Sequence, residues 1–340
     1  MELLKGLSAR GRRLLLGVLV TALGLLGTAC GGDAGPQDFL TPEGPIAERA
    51  DGLWDITFAI AVVIFVIVEG VLVFAIVKFR RKPGREAAQF HGNTKVEVIL
   101  TLVPTLILAG LAVPTVKAIA DLSEKQEGSL EIKVVAKQFW WEYTYTDEDV
   151  VTANEMHVPT GQPVFLTLEG TDVIHSFWVP KLTGTQDAVP GRVNTMQFEA
   201  DKPGTYWGQC KEYCGLSHAN MRLRVIVHEP AEFEQWLEDQ KQPAAASVSG
   251  AAAEGQEIFM QTCVNCHAIE GTDAKGTSGP NLTHFASRET FAGAMFENNA
   301  ANLRRWIDNP ANVKPGALMP DYGLSAQEID AVVAYLETLE

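Results

Sequence analysis

The sequence predicts a multidomain membrane protein in which a two-helix transmembrane hairpin precedes two domains outside the cytoplasm. Three observations support this fold class: two apolar segments long enough to span a bilayer, a strand-rich region punctuated by glycines, and a final region that contains the pentapeptide C-V-N-C-H. The chain has 340 residues, which favours two domains or more. Its net charge of −15 speaks against a nucleic-acid-binding protein, which needs basic patches.

The amino-terminal residues are typical of a targeting segment. Basic side chains precede the apolar run Leu14–Leu26 and the small residues Gly27–Ala29, so residues 1–29 are predicted to be a signal peptide. Cys30 follows directly, as in a bacterial lipoprotein signal, and a lipid anchor at Cys30 is therefore one expectation. The alternative is an ordinary signal, cut nearby, in which Cys30 is a spare thiol.

Two later segments form the predicted transmembrane hairpin within residues 45–120. Ile56–Val77 is apolar except for Glu69, and Val98–Val116 carries no charge, so each is long enough to cross about 30 Å of hydrocarbon. The connecting loop, which begins at Lys78, is basic and is therefore expected on the cytoplasmic side. The predicted location is the bacterial inner membrane, multi-pass, with everything after the hairpin on the outer side.

Two carboxylates belong to these spans. Glu69 lies within the first span, where an ionisable residue is a functional candidate by default; a neutral or partnered packing residue is the alternative. Glu97 begins the second span at the interface, and its chemistry alone is unremarkable.

Residues 130–228 are predicted to be rich in strands. Glu131–Val135, Pro163–Leu168 and Met221–Val227 have strand character, and glycines recur between them at turn-like intervals. Several short strands joined by regular turns predict a β-sandwich or a β-barrel.

A set of metal-ligating residues falls within this region. Cys210, Cys214, His218 and Met221 follow the spacing C-x3-C-x3-H-x2-M, and His175 lies upstream. Two thiolates, two imidazoles and a thioether suit copper, but a mononuclear blue-copper site uses only one thiolate. The extra thiolate fits two copper ions bridged by both sulfur atoms, each ion with one imidazole. Zinc, which rarely uses methionine, and a disulfide between the two cysteines are the alternatives.

The residues around this cluster resemble subunit II of the haem–copper cytochrome c oxidases, with its binuclear copper (CuA) centre. The resemblance rests on D-V-I-H-S-F-W-V-P from Asp172, Q-D-A-V-P-G-R from Gln186 and Y-W-G-Q-C from Tyr206, and it covers residues 45–230. It implies a cupredoxin-like β-barrel above a two-helix membrane anchor.

The resemblance implies roles for individual residues. The implied copper ligands are His175, Cys210, Glu212 through its carbonyl oxygen, Cys214, His218 and Met221. The carboxylate of Glu212 is also implied to reach a Mg²⁺ ion shared with subunit I, and Glu97 matches a glutamate at the mouth of a proton channel. Phe139, Trp140 and Trp141 match the patch that receives electrons, although Phe139 stands where many members have a tryptophan. For Trp140 and Trp141 the alternative is aromatic cover for a barrel edge.

A second outer domain follows a predicted linker. Residues 241–253 are rich in Ala, Ser and Gly, which predicts a flexible tether that keeps the next domain near the copper ligands. Cys263, Cys266 and His267 then form C-x-x-C-H, the attachment signal of c-type haem. A final helix is predicted to open with a capping box at Ser325.

Residues 254–340 resemble a class I cytochrome c, which implies an all-α domain with covalent haem c. Met319 matches the sixth iron ligand, since thioether ligation raises the haem potential. Met260 and Met295 are its rivals, and Met260 is expected in a helix core. His284 is a further rival that is expected to be a solvated loop side chain instead.

Together these features predict subunit II of a proton-pumping cytochrome c oxidase with its own cytochrome c attached. Electrons from a donor, such as a cytochrome c or an upstream cytochrome complex, would pass through haem c and CuA to the haem–copper subunit I, where oxygen is reduced to water. The oxygen site is expected in that other subunit, so this chain acts as an electron relay. The expected partners are subunit I, other oxidase subunits, the donor and the membrane, with no nucleic acid.

Other functions are weighed against this one. A membrane-tethered copper and haem carrier that joins no oxidase would not need the hairpin. A quinol oxidase subunit II lacks the copper ligands, which are complete here. Nitrous oxide reductase shares the copper motif but lacks the hairpin and normally the haem tail.

Overall fold

The structure is a computed structural model, and it describes Gly17 and residues 35–81, 83–84, 91–244 and 248–340. Three predicted features lie outside the described residues. They are Cys30, residues 245–247 of the linker and, except for Gly17, the signal peptide. Two names are used below: the strand-rich domain is residues 130–228, and the helical domain is residues 254–340.

Two long helices come first, α1 (Pro45–Lys78) and α2 (Thr94–Ser123). Both are long and apolar enough to cross a membrane, and their apolar side chains are exposed, as expected of helices that face lipid or a partner subunit. The side chain of Asn93 caps α2 by accepting hydrogen bonds from the Lys95 and Val96 amides, at 3.1 and 3.3 Å. Both helices extend beyond the predicted spans, and the cytoplasmic placement of their connection stays a prediction.

The outer ends of the two helices are tied to the strand-rich domain. The Gln197 side-chain amide donates to the carbonyl oxygens of Leu122 and Glu124, at 3.0 and 2.9 Å, just where α2 ends. Before α1, the backbone of Glu43 bonds to Lys181 O at 2.8 Å. The start of α1 and the end of α2 therefore lie on the same side of the hairpin.

All of residues 130–228 are described, and ten strands run through them. They are β1 (Leu130–Lys137), β2 (Trp140–Tyr145), β3 (Val150–Ala153), β4 (Glu155–Pro159), β5 (Val164–Gly170), β6 (His175–Trp178), β7 (Thr185–Ala188), β8 (Asn194–Phe198), β9 (Gly204–Gln209) and β10 (Arg222–His228). β1, β5 and β10 confirm the three predicted strands.

The strands form three sheets. One has the order β3-β2-β1-β5-β8, the second β4-β10-β9, and the third is the pair β6-β7. β1 pairs in parallel with β5, and β10 pairs in parallel with β4, while the other pairs are antiparallel. The domain is therefore sheet-rich, as predicted, but a closed barrel is not confirmed.

Strand alternation separates the core from the surface of the strand-rich domain. In β2, Trp141, Tyr143 and Tyr145 are fully buried, whereas Trp140 is only half-buried, because successive side chains of a strand point to opposite faces. Trp141 meets Phe177 edge to face, with ring centroids 5.6 Å apart. This aromatic core therefore packs against β6, the strand that carries His175.

The remaining elements follow β10. They are α3 (Pro230–Gln240), α4 (Ala251–Thr262), β11 (Thr290–Phe291), β12 (Phe296–Glu297), α5 (Ala300–Asp308), α6 (Pro310–Val313) and α7 (Ala326–Leu336). The capping box predicted at Ser325 is present. The all-α prediction is not confirmed, because the chain turns back between β11 and β12 through Ala292, Gly293 and Ala294, all with positive φ.

α4 and α7 cross closely to form the core of the helical domain. A Cβ added at Gly255 would lie 1.9 Å from the Ala331 carbonyl oxygen, so this crossing requires glycine. Phe259 and Tyr335 meet across the same contact, with ring centroids 5.5 Å apart. These contacts bring the start of the domain and its end together on one side of the C-x-x-C-H segment.

The prediction for His284 is wrong, because this side chain is buried rather than solvated. Its Nδ1 lies 2.8 Å from Glu340 O, and its Nε2 lies 3.2 and 3.0 Å from the carbonyl oxygens of Gln240 and Gln242. His284 thus joins the end of α3 to the carboxyl terminus. The sequence hides this role, because its partners lie far away along the chain.

Candidate functional site

Six donor atoms converge at one end of the strand-rich domain. They belong to the six residues predicted as copper ligands: His175, Cys210, Glu212, Cys214, His218 and Met221. The two cysteine Sγ atoms are 3.8 Å apart. His175 Nδ1 is 3.9 Å from Cys210 Sγ, and His218 Nδ1 is 3.6 Å from Cys214 Sγ.

The two weaker donors complete the cluster. Met221 Sδ lies 3.8 Å from Cys214 Sγ, and the Glu212 carbonyl oxygen lies 3.2 Å from Cys210 Sγ. Each thiol therefore has one imidazole and one weak donor beside it. His175, Cys210 and Cys214 also form a group able to hold a metal ion, with all three ligand atoms within 4.8 Å of one another.

The loop between β9 and β10 carries most of these donors. The Cys210 amide donates to Met221 O at 2.9 Å, which closes the loop at its base. A short 3-10 turn, His218–Asn220, then aims the imidazole of His218 back at Cys214. His175 enters from the separate strand β6, so the loop and the β6-β7 pair must both fold before the donors meet.

Asp172 fixes the orientation of His175. The Asp172 carboxylate lies 2.7 Å from His175 Nε2, which leaves Nδ1 facing Cys210. Burial alone would raise the pKa of Asp172, but hydrogen bonds from His175, Gln138 and Val173 outweigh it and lower the pKa. Burial likewise opposes the charged imidazole, yet the contacts with Cys210 and Asp172 raise the pKa of His175.

The two thiols are electrostatically linked. The hydrogen bond from Cys214 lowers the pKa of Cys210, whereas the same contact and burial raise the pKa of Cys214. One thiolate therefore forms readily and disfavours the second, unless a cation lies between them. Both cysteines are free and buried. A disulfide needs sulfur atoms about 2.05 Å apart, while sulfurs 3.8 Å apart suit thiolates that share metal ions at about 2.3 Å.

A second site is a cavity of about 510 Å³ in and beside the helical domain. Its lining includes the predicted haem residues Cys263, Cys266, His267 and Met319. Met260 and Met295 are not among its lining residues, which favours Met319 over both rivals.

His267 is held with one ring nitrogen free for the cavity. Its Nδ1 lies 2.8 Å from Pro280 O, so Nδ1 carries the proton and Nε2 is the available ligand atom. Burial lowers the pKa of His267, which keeps the imidazole neutral, as an iron ligand must be. A Cβ at Gly279 would lie 2.7 Å from the His267 ring, so glycine is needed for this approach.

The cavity lining also fits the charge of a haem group. Arg288 lines it, and burial lowers the pKa of this guanidinium to about 10, so it stays charged at neutral pH. Its Nη2 donates to Asn281 O at 2.6 Å, while its buried Nε has no hydrogen-bond partner among the described residues. An unpaired cationic donor at a mostly apolar cavity suits the carboxylates of a haem.

The strand-rich domain supplies one wall of this cavity. Lys137, Gln138, Phe139, Trp140 and Asp172 all line it. The backbone amide of Gln138 donates to Asp172 at 2.6 Å. The residue whose carboxylate orients His175 is therefore itself part of the cavity wall.

The structure separates the three predicted electron-receiving aromatics. Phe139 is buried under the helical domain, Trp140 is half-buried in the cavity wall with Lys137 4.6 Å above its ring, and Trp141 is fully buried in the core. Alternation along β2 explains the difference between the two tryptophans. Their role in receiving electrons stays a prediction.

The predicted carboxylates are found at exposed positions. Glu97 Oε1 accepts the Asn93 amide at 3.3 Å, so this carboxylate supports the start of α2. The Glu212 side chain is exposed, and so is that of Glu69 on α1. Their roles in proton uptake, Mg²⁺ binding and membrane function stay predictions.

Three charged residues, two buried and one half-buried, are absent from the sequence-based prediction. Glu155 and Lys314 lie at the contact between the domains, and Arg288 lines the cavity. None belongs to a recognisable motif, and their burial follows from domain packing. The residues next to them in the sequence give no indication of this burial.

Three family models match successive parts of the chain. The description "Cytochrome C oxidase subunit II, transmembrane domain" matches residues 36–118, and "Cytochrome C oxidase subunit II, periplasmic domain" matches residues 148–228. "Cytochrome c" matches residues 252–340.

Whole-chain relatives agree with these matches. The chain is 36% identical over 311 residues to cytochrome c oxidase subunit 2 of Alkalihalophilus pseudofirmus, covering 88% of this chain and 90% of the relative. It is 32% identical over 355 residues to the subunit of the same name from Bacillus subtilis, covering 96% and 98%. It is also 30% identical over 213 residues to quinol oxidase subunit 2 of Bacillus cereus, covering 60% and 73%.

Proposed function

Because this chain belongs to the cytochrome c oxidase subunit II family, we propose that it relays electrons from a donor, through haem c and CuA, to the haem–copper subunit of a proton-pumping oxidase. The observation that carries the proposal is the convergence of six donor atoms, five of them soft or borderline, on one cluster beside a haem-sized cavity. Oxygen reduction would take place in the partner subunit.

Six residues would hold a copper pair. Their donor atoms are His175 Nδ1, Cys210 Sγ, Glu212 O, Cys214 Sγ, His218 Nδ1 and Met221 Sδ. When bound, the pair would supply one-electron redox chemistry. Burial of the two cysteines excludes water from the sulfur atoms, and Asp172 keeps the His175 proton on the ring nitrogen that faces away from the cluster.

Four residues would hold haem c. The Cys263 and Cys266 thiols would form thioethers to the haem vinyl groups, and His267 Nε2 and Met319 Sδ would ligate the iron. When bound, haem c supplies a one-electron centre whose potential is raised by ligation through the Met319 thioether. Arg288 offers its guanidinium to the haem carboxylates.

The finer parts of the assignment belong to this proposal as well. The chain would sit in the bacterial inner membrane as a two-helix hairpin, with both outer domains on the outer side and a lipid anchor at Cys30. Glu212 would share a Mg²⁺ ion with subunit I, and Glu97 would lie at the mouth of a proton channel. The donor would be a cytochrome c or an upstream cytochrome complex.

The quinol oxidase relative raises a second candidate function, because its similarity extends over 213 residues, or 60% of this chain. A quinol-oxidising subunit II has no need of a copper cluster or a haem cavity. The complete donor set and the C-x-x-C-H segment therefore favour the cytochrome c oxidase assignment.

Metal analysis of the oxidase purified in mild detergent tests the proposal. We expect two copper ions and one covalent haem c for each copy of this chain, together with a polytopic partner subunit. The variant Cys214→Ser should lose the bridged copper pair and its near-infrared absorption while keeping haem c. Zinc or a single cupric ion in the wild-type protein would contradict the copper assignment.

A further inference from the structure

The helical domain is docked on the strand-rich domain by polar contacts. The Ser217 hydroxyl donates to Pro315 O at 2.6 Å, and the Arg222 amide donates to Gly293 O at 3.0 Å. Two separate segments of the helical domain therefore bond to the region around the Cys214–His218 loop. These contacts are short-range and specific, unlike the loose tether predicted from the linker.

A buried carboxylate adds a third contact. Glu155 begins β4 and accepts hydrogen bonds from the Thr290 and Glu289 amides, at 2.6 and 3.1 Å. Arg224 forms an ion pair with Glu289 at 2.8 Å beside it. The β11–β12 turn is thereby fixed against the edge of the sheet β4-β10-β9.

Lys314 joins the two domains at the centre of this contact. Its side chain belongs to the helical domain and is 3% exposed. Its ammonium group donates to Phe139 O of the strand-rich domain at 2.7 Å and to Ala292 O of its own domain at 2.6 Å. A Cβ at Gly293 would lie 2.7 Å from this ammonium group, so glycine leaves the space that the lysine occupies.

The position of Lys314 connects the two proposed redox sites. Lys314 and Phe139 both line the haem cavity. The adjoining Gly316 lies so close to Leu216 that an added Cβ would be 3.2 Å from the leucine side chain. The segment that leads to Met319 therefore rests on the loop between Cys214 and His218.

We propose that Lys314 is a positioning residue for electron transfer, which fixes the helical domain on the strand-rich domain by bonding one backbone carbonyl oxygen from each. The role in electron transfer rests on the proposed function, whereas the docking contact stands on the geometry alone. Without this side chain, the buried Phe139 carbonyl oxygen and the partly buried Ala292 carbonyl oxygen lose a donor. An unsatisfied buried acceptor costs more than its hydrogen bond contributes.

Docking through Lys314 does not depend on one protonation state. Burial lowers the pKa of Lys314 to about 7, partly opposed by Cys214. Both the ammonium and the neutral amine keep enough hydrogen atoms to donate to two carbonyl oxygens.

Cleavage of the linker in the assembled oxidase tests the proposal. A protease site is introduced at residues 245–247, and cleavage there breaks the covalent connection to the helical domain. Dilution followed by gel filtration then measures how tightly the cleaved domain stays bound. We expect the wild-type domain to remain associated, and Lys314→Met to weaken the association at least about tenfold. Lys275→Met changes an exposed lysine of the same domain and should behave like the wild type.

A positioning role also predicts a kinetic change. In the uncut oxidase, Lys314→Met should slow electron transfer from haem c to copper while the absorption band of thioether-ligated haem stays unchanged. Unaltered association and an unaltered transfer rate in Lys314→Met would overturn the proposal.

The unmodified protein provides an independent measurement that does not require the variant to fold. In the intact oxidase, an amine-acetylating reagent should modify Lys314 at least about tenfold more slowly than Lys275, because burial excludes the reagent. Equal rates would overturn the proposal. Copper and haem contents of the same samples report on the proposed function separately, since docking and metal loading can fail independently.

Discussion

Two histidines of this chain share one way of presenting a ligand atom. The Nε2 atom of His175 lies 2.7 Å from the Asp172 carboxylate, and the Nδ1 atom of His267 lies 2.8 Å from Pro280 O. In each case, an oxygen atom selects the tautomer and turns the other nitrogen towards the site. Substitution of a residue that orients a ligand should therefore affect metal binding, as substitution of the ligand itself would.

Asp172→Asn should weaken copper binding. The amide keeps the shape of the side chain but removes the negative charge that holds the His175 proton, so we expect copper affinity to fall by about 10- to 100-fold. Competition with a copper chelator measures this loss. Asp187→Asn, at an exposed position on β7, is the matched control and should retain its copper; equal retention by both variants would contradict the orienting role.

Among the secondary-structure elements, β4, β10 and α3 are joined by a histidine pair outside the copper cluster. His157 Nδ1 lies 2.8 Å from His228 Nε2, and the His157 ring stacks on Trp236 of α3 with centroids 4.2 Å apart. Burial, then the neighbouring His228 and Arg288, lower the pKa of His157. Burial also lowers the pKa of His228, opposed by Glu232.

This pair predicts a loss of stability in acid. Because both folded-state pKa values lie below the unfolded value of 6.5, the unfolded state binds more protons as the pH falls below about 6.5. The free energy of unfolding should then decrease by up to about 1.4 kcal/mol per pH unit for each histidine. It should not change on their account above that range.

Thermal loss of the copper absorption at pH 7.5, 6.5 and 5.5 checks this expectation. His157→Gln should show a smaller decrease between pH 6.5 and 5.5 than the wild type, because one titrating group is gone. His91→Gln, at an exposed position outside the outer domains, should keep the wild-type slope. Identical slopes in all three proteins would show that the pair does not titrate on unfolding.

The elements differ in how far the sequence predicts them. The C-x3-C-x3-H-x2-M spacing predicts the ligand loop between β9 and β10, because these donors are close along the chain. The C-x-x-C-H segment predicts the haem residues for the same reason. The burial of His284 and the contact of Thr290 with Glu155 are missed, since their partners lie on distant parts of the chain. The short β11–β12 pair is missed although its strands pair locally.

At the scale of the whole molecule, the docked arrangement covers Phe139, which is 6% exposed beneath the helical domain. A soluble donor would therefore meet the helical domain rather than this aromatic residue. The composition of residues 241–253 predicts a flexible connection, but it cannot reveal the contact between Lys314 and Phe139, which lie 175 residues apart. Packing between domains depends on residues that lie far apart in the sequence, so no local pattern predicts it.

We propose that one chain carries both redox centres and passes electrons between them internally. Flash reduction of haem c in the intact oxidase, with haem and copper absorption followed together, tests it most directly. We expect haem c to be reoxidised as the copper pair is reduced, at a rate independent of protein concentration. A rate that rises in proportion to protein concentration, or haem reoxidation without any change in copper absorption, would contradict the claim.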